Sequence, residues 1–190
     1  MKVALIGATG FVGRALLEEL LSRGHEVTAL ARHPDKLAAR ERLRVVRADV
    51  SDAAQVQAAV AGNDAVLSAY NAGWGNPDIY HDFMQGSRAI VAGTRAAGVK
   101  RYLVVGGAGS LYTADGVQLV DTPSFPPAFH DGARAARDAL EDLKGESTLD
   151  WTFLSPPVAF HDGGPTERTP RHRTGSATPR LAATSVAERL

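Results

Sequence analysis

The stretch Gly7-Ala-Thr-Gly10-Phe-Val-Gly13 constrains this chain more than any other feature. It follows Lys2-Val-Ala-Leu-Ile6, a short apolar run that reads as a buried strand, and it opens residues 11–23, whose apolar spacing reads as an amphipathic helix. A glycine-rich turn between a strand and a helix presents backbone N–H groups at the helix start, where the helix dipole favours negative charge. Three glycines so placed suit a dinucleotide pyrophosphate. Gly7 permits the tight turn, Gly10 lets the backbone approach the phosphates, and Gly13 lets helix and strand pack closely. Thr9, Phe11 and Val12 belong to the same turn.

Strands and helices alternate after it. Residues 27–31, 43–47, 65–69, 102–105 and 151–154 read as strands. Residues 53–61 read as a helix capped by Ser51 or Asp52, and residues 80–97 and 133–143 as two more. Repeated β-then-α units predict an α/β fold, a Rossmann-like doubly wound parallel sheet with helices on both faces. Ligands of such a sheet lie at the carboxyl ends of its strands. Residues 1–160 are expected to form this NAD(P)-binding domain. Residues 161–190 are rich in Pro, Thr, Arg and Gly, with Pro165, Pro170 and Pro179. They are expected to form a poorly ordered C-terminal segment in which only 182–190 could be a short helix.

Composition narrows the function. The chain has 190 residues, one domain with a core, and 44% hydrophobic with 22% charged residues is ordinary globular usage. Lys plus Arg equals Asp plus Glu at 21 each, which gives no electrostatic case for nucleic acid or an anionic membrane. The absence of cysteine removes disulfides, thiolate catalysis and Cys-ligated zinc. Three His-Asp dipeptides (His81-Asp82, His130-Asp131, His161-Asp162) have no defensible ligand spacing, so no metal is assigned. Without a signal-peptide pattern or an apolar run of membrane-spanning length, the expected location is cytoplasmic. The chain is expected to act as a monomer or homodimer.

The end of the second strand bears on cofactor choice. An acid there holds a ribose 2′-OH, and an arginine accommodates a 2′-phosphate. Arg32 stands nineteen residues past Gly13, with no acid before Asp35, whereas Glu26 lies at the opposite end of that strand. A guanidinium pairs bidentately with phosphate, so NADP(H) is expected over NAD(H), which stays possible.

The glycine turn, Asp49-Val50, Gly106-Gly-Ala-Gly-Ser110, Gln118-Leu-Val-Asp-Thr-Pro123, Ala136-Arg-Asp-Ala-Leu140 and Leu149-Asp-Trp-Thr-Phe-Leu-Ser-Pro156 together resemble the NmrA-like, NAD(P)H-binding branch of atypical short-chain dehydrogenases/reductases. Within it the likeness is strongest to bacterial NADH–flavin reductase-like proteins, which are similar to biliverdin reductase B. It covers about residues 1–168; residues 169–190 depart from it. The resemblance implies adenine contact at Asp49 and Val50, and nicotinamide contact at Gly106, Gly107 and Ser155-Pro156. Ala69, Tyr70 and Asn71 end the fourth strand, where small residues would admit the nicotinamide ribose. Asp49 could equally cap the next turn.

The Tyr-x-x-x-Lys pair of typical short-chain dehydrogenases is absent: four residues after Tyr70, Tyr80, Tyr102 and Tyr112 stand Trp74, Met84, Gly106 and Gly116. Alcohol oxidation and epimerisation need such a proton carrier. Its absence leaves acceptors such as flavins or quinones, for which hydride delivery is most of the chemistry. Ser110 is the best polar candidate near the nicotinamide, or else a turn hydroxyl. Tyr112 could stack on a flat acceptor or cover the core, and Trp74, in a glycine-rich loop, could cover an acceptor ring or pack on the protein body. His130 and Arg134 read more simply as a surface helix face. The expected function is an NAD(P)H-dependent oxidoreductase delivering hydride to flavin or a similar conjugated acceptor. The alternative is an NADP(H)-binding redox sensor of NmrA type without turnover.

Overall fold

The computed structural model describes residues 1–158, 160 and 186–187. Strands β1 (Lys2–Ile6), β2 (Glu26–Ala31), β3 (Leu43–Arg47), β4 (Ala65–Ser68), β5 (Arg101–Val105) and β6 (Asp150–Ser155) form one parallel sheet. Helices α1 (Phe11–Ser22), α2 (Ala53–Val60), α3 (Ile79–Ala96) and α4 (His130–Lys144) connect most of them. The sheet order is β3-β2-β1-β4-β5-β6, followed by the two-residue β7 (Val186–Ala187). The order reverses at β1, so the chain's first turn lies at the switch point where doubly wound sheets bind ligands.

The period-two alternation of β1 sorts the core into two faces. Val3 and Leu5 pack with Leu17 and Leu20 of α1 and with Val27 and Ala29 of β2. Ala4 and Ile6 face the other way, against Val56 and Val60 of α2, Ile90 of α3 and Leu140 and Leu143 of α4. α1 therefore covers one face and α2, α3 and α4 the other. Tyr102 of β5 is fully buried on that second face, its hydroxyl paired with Ser68; burial pushes its phenol far above the usual range.

Local chemistry fixes the helix ends. The Gly24 N–H bonds the Leu21 carbonyl and the His25 N–H the Leu20 carbonyl, with Gly24 at φ +78°. This six-to-one and five-to-two pattern closes α1 and needs a left-handed residue at its centre. Of the two caps expected for α2, Asp52 serves, its carboxylate accepting from the N–H groups of Ala54 and Gln55. Between β2 and β3 only a 3₁₀ turn forms, over Pro34–Lys36. α4 begins at His130, three residues before the expected start.

At the far edge, Val186–Ala187 pairs antiparallel with Leu154–Ser155. This corrects the short helix expected over 182–190 at those two residues. The edge of β6 offers unpaired N–H and C=O groups, and two residues of extended backbone satisfy some of them. The poorly ordered segment expected from residue 161 otherwise lies outside the described residues.

Candidate functional site

The three glycines of the first turn have separate jobs. Gly7 sits at φ +83°, and a Cβ on it would stand 2.4 Å from the Ala69 carbonyl oxygen. A Cβ on Gly13 would stand 1.9 Å from the Gly7 carbonyl oxygen, so α1 can lie this close to the turn only without a side chain. Gly10 differs: its φ is −82°, and a Cβ would meet only the Gly7 oxygen at 3.4 Å. Packing does not demand a glycine there. The space in front of Gly10 is open and exposed, at the N-cap of a 12-residue helix with no acid in its first turn. That open cradle is what a pyrophosphate needs. Thr9 and Val12 are half-buried beside it and Phe11 is half-exposed.

Arg32 leaves the carboxyl end of β2 exposed. Among the described residues it enters no hydrogen bond or ion pair, and its charge acts on Asp49, Tyr70 and Asp82 across the strand ends. A guanidinium without a committed partner is available to a phosphate. Asp49 caps the next turn: one carboxylate oxygen accepts from the Ser51 N–H at 3.0 Å and from the Ser51 hydroxyl at 2.8 Å. Those two bonds hold its carboxyl below the usual range. Val50 packs half-buried against the core.

After β4, Ala69 donates its N–H to the Ile6 carbonyl, and Asn71 accepts the Gly73 N–H. The Tyr70 side chain turns to α3, where its hydroxyl donates to the Asp82 carbonyl at 3.0 Å and its ring stacks on Phe83. Gly86 makes room for that ring, since a Cβ there would stand 2.6 Å from it. Tyr70 thus offers the strand ends backbone, not a ring. After β5, a Cβ on Gly106 would stand 1.9 Å from the Phe153 ring. Ser110 is 4% exposed; its hydroxyl donates to the Gly107 carbonyl at 3.0 Å and lies 2.9 Å from the Ser155 hydroxyl. With its own proton so used, Ser110 accepts from Ser155, and the pair ties the end of β5 to the end of β6. Tyr112 is half-buried and bridges Gln118 through its backbone, and Pro156 is half-buried after β6.

Trp74 rests on α4. A Cβ on Gly132 would stand 2.6 Å from its indole, and Phe129 meets it edge to face at 5.3 Å. Trp74 is still 56% exposed and Phe129 49%. Arg134 lies over the Tyr80 ring at 5.0 Å, and His130 lies beside Asp131, as expected of a surface helix face. Sequence reasoning missed Phe129, although an aromatic directly after Pro126-Pro127-Ala128, at a helix start on the ligand edge, is a usable signal. It also missed Phe160, whose ring meets Phe11 at 5.4 Å. A cavity of about 190 Å³ between α3 and α4 lies away from this edge; it is floored by Tyr102, Val104 and Phe153. No group of metal-ligating residues occurs among the described residues, and no described helix is long and apolar enough to cross a membrane.

A doubly wound sheet whose switch-point turn leaves a phosphate cradle open defines a nicotinamide-dinucleotide-binding, oxidoreductase-type domain. The family model described as NAD(P)H-binding matches residues 7–189, and the chain belongs to that family, within the NmrA-like branch of the atypical short-chain dehydrogenases/reductases. Among solved structures it is similar to a putative epimerase from Bacteroides thetaiotaomicron, with 42% identity, TM-score 0.84, and 95% of this chain and 80% of that one covered. It is also similar to a putative NADH-flavin reductase from Streptococcus pneumoniae, with 37% identity, TM-score 0.73, and 87% and 77% covered. The uncharacterized protein YwnB of Bacillus subtilis is 35% identical over 177 residues, spanning 92% of this chain and 79% of YwnB.

Proposed function

We propose that this protein is an NADPH-dependent reductase that delivers hydride to a flavin or a similar conjugated acceptor such as a quinone, acting in the cytoplasm. One observation carries the reading. Apart from Met1, every large apolar side chain exposed among the described residues (Phe11, Trp74, Val117, Phe129, Val158 and Phe160) lies on a segment leaving the carboxyl end of a strand. Apolar surface gathered on one edge marks a binding site. Here the rings suit a flat partner, which binds aromatic faces by stacking and edges by T-shaped contact.

The residues fit a dinucleotide: Gly10 leaves the phosphates room, and Arg32 is uncommitted beside the adenosine end. A reduced nicotinamide held there would supply hydride, and the balancing proton on the acceptor would come from water. The chain's own work is position. Ser110 and Ser155 hold the ends of β5 and β6, which would receive the nicotinamide, at fixed spacing. Trp74 and Phe129 hold the acceptor ring and exclude water from one side of it. Neither serine hydroxyl nor the Tyr70 phenol has a proton to spare, which agrees with an acceptor that asks for none from the protein.

Oxidation of NADPH with a panel of flavins and quinones tests the reading, and turnover with at least one flavin is expected. Intact NADPH binding with no turnover on any of them would replace the enzyme by the redox-sensor reading.

A further inference from the structure

α3 and α4 lie side by side over the sheet, and toward their C-terminal ends a cavity of about 190 Å³ stays open between them. Its walls are small groups, Ser87 and Ala92 on α3, Ala139 on α4 and Gly145 at the end of α4, too short to meet across it. Its floor is Tyr102 and Val104 of β5 and Phe153 of β6, and Phe83 of α3 adds a third ring. Val104 marks the gap. It belongs to an interior strand, packed on the face that α2, α3 and α4 cover, yet it is only half-buried. The floor is firmly backed, because the Phe153 ring abuts Gly106, where a Cβ would stand 1.9 Å from it.

The Tyr102 hydroxyl, the one side-chain polar group of that floor, is already paired with Ser68. Water on the floor would lack the two to four polar partners that hold an internal water, whereas an apolar cavity of about 150 Å³ takes up benzene. The space here fits one ring with a small substituent. The mouth is charged but balanced. Arg88 Nε lies 2.7 Å from the Asp142 carboxylate and Arg95 Nη1 lies 3.6 Å from that of Glu146, each pair running from α3 to α4 or its end. Two cations matched by two carboxylates leave no net charge for an ionic ligand. Both arginines are exposed, and ion pairs at such a surface hold weakly enough to swing aside.

We propose that this cavity is a second binding site, for a neutral molecule built on a single aromatic ring, separate from the edge where the strand ends gather Trp74 and Phe129. The ligand ring packs among Phe83, Tyr102 and Phe153 by stacked and edge contacts, and the paired side chains close over it. The site stands independently of the dinucleotide reading.

The test is a methyl NMR titration of the cofactor-free protein with toluene, with benzoate and benzylammonium as charged counterparts. Toluene should shift the methyl signals of Val91, Val104 and Leu143 saturably, with a dissociation constant of about 1 mM or tighter. Both ions should bind at least about tenfold more weakly, because their charge would lose water without gaining an unpaired partner. Ala92→Leu fills the cavity from its wall and should weaken toluene binding at least about tenfold, with the thermal midpoint unchanged or raised. Ser87→Leu, which fills it from another position on α3, should do the same and serves if Ala92→Leu fails to fold. Toluene affinity within twofold of the unmodified protein in a folded filled variant overturns the proposal. So do shifts centred on Val12 at the glycine turn, or benzoate binding as tightly as toluene. Methyl shifts that follow protein concentration in place of toluene would mean that a second copy covers the mouth, and would overturn it as well.

Discussion

Arg32 and Gly10 are single residues on which the cofactor assignment turns. Arg32 is exposed at the end of β2 and enters no hydrogen bond or ion pair among the described residues, so NADPH is expected to bind at least about tenfold tighter than NADH, a difference of about 1.4 kcal/mol. Arg32→Asp should erase or reverse that preference in a fluorescence titration, and equal affinities in the unmodified protein would refute the assignment. Gly10→Val puts a branched side chain in space that the protein leaves open, so NADPH binding should fall strongly while the fold survives. Undiminished binding would mean that the nucleotide lies elsewhere. Ser110 and Trp74 test the acceptor side. Ser110→Ala removes a hydroxyl committed to Gly107 and Ser155, so turnover should fall by less than the roughly hundredfold expected for loss of a true general acid. Trp74→Ala removes binding shared by ground and transition states, so KM for the acceptor should rise more than kcat falls. Complete loss of turnover in Ser110→Ala with NADPH binding intact would reveal a proton donor in the buried serine pair.

At the scale of elements, the turn between β1 and α1 separates folding from binding. A Cβ on Gly13 has backbone atoms of the turn at 1.9 Å and 2.5 Å, and neither can give way like a flexible side chain. Gly13→Ala should therefore push α1 off the sheet and cost about 1–3 kcal/mol or more. That corresponds to a fall in melting temperature of about 2–4 °C per kcal/mol for a domain of this size. Gly10→Val should leave the melting temperature nearly unchanged. Equal thermal effects of the two substitutions would show that the glycines are not divided between packing and binding. Elements like these were legible in the sequence because their signals are local. Short, mostly apolar runs marked the six strands, and Ser51-Asp52 marked a helix start. The glycine spacing marked the cradle. The pairings that complete the site were not legible, because they join residues remote in the chain: Ser110 with Ser155, Trp74 with Gly132, Phe11 with Phe160. None of these has a periodicity or spacing of its own. They follow from the strand order that brings β1, β4, β5 and β6 side by side. Tyr70 and Asp49 show the same limit in reverse. Each stands at a strand end, and what its side chain does there depends on a neighbour: Tyr70 turns to α3, and Asp49 turns to Ser51, the turn cap that its position left open.

The whole molecule balances 21 cations against 21 carboxylates and carries 6 histidines. Several carboxylates are committed to donors that favour the charged form. Asp52 accepts from Gln55 and from the first N–H groups of α2, Asp49 from Ser51, and Glu146 from Thr148, and each is held below the usual range. Asp138 is pushed up by partial burial. Its hydrogen bonds from Tyr80 and Arg137 outweigh that, and its carboxyl too ends below the usual range. A carboxyl whose folded pKa is depressed contributes stability that is fully present above its unfolded pKa, about 4, and is lost as pH falls through the folded value. All four act in the same direction. The melting temperature of the cofactor-free protein should thus hold from neutrality down to about pH 5, begin to fall near pH 4, and keep falling below it. Protonating the remaining acids steepens the fall, because the Lys, Arg and His charges then repel without compensation. Thermal melts at low ionic strength from pH 7 to pH 3 check this, and added salt should soften the drop by screening the repulsion. Asp52→Asn keeps an N-cap acceptor but removes its titration, so the variant should lose less stability between pH 5 and pH 3 than the unmodified protein. An unchanged pH dependence in Asp52→Asn, or melting temperatures level down to pH 3, would show that these carboxylates do not set the acid limit of the fold.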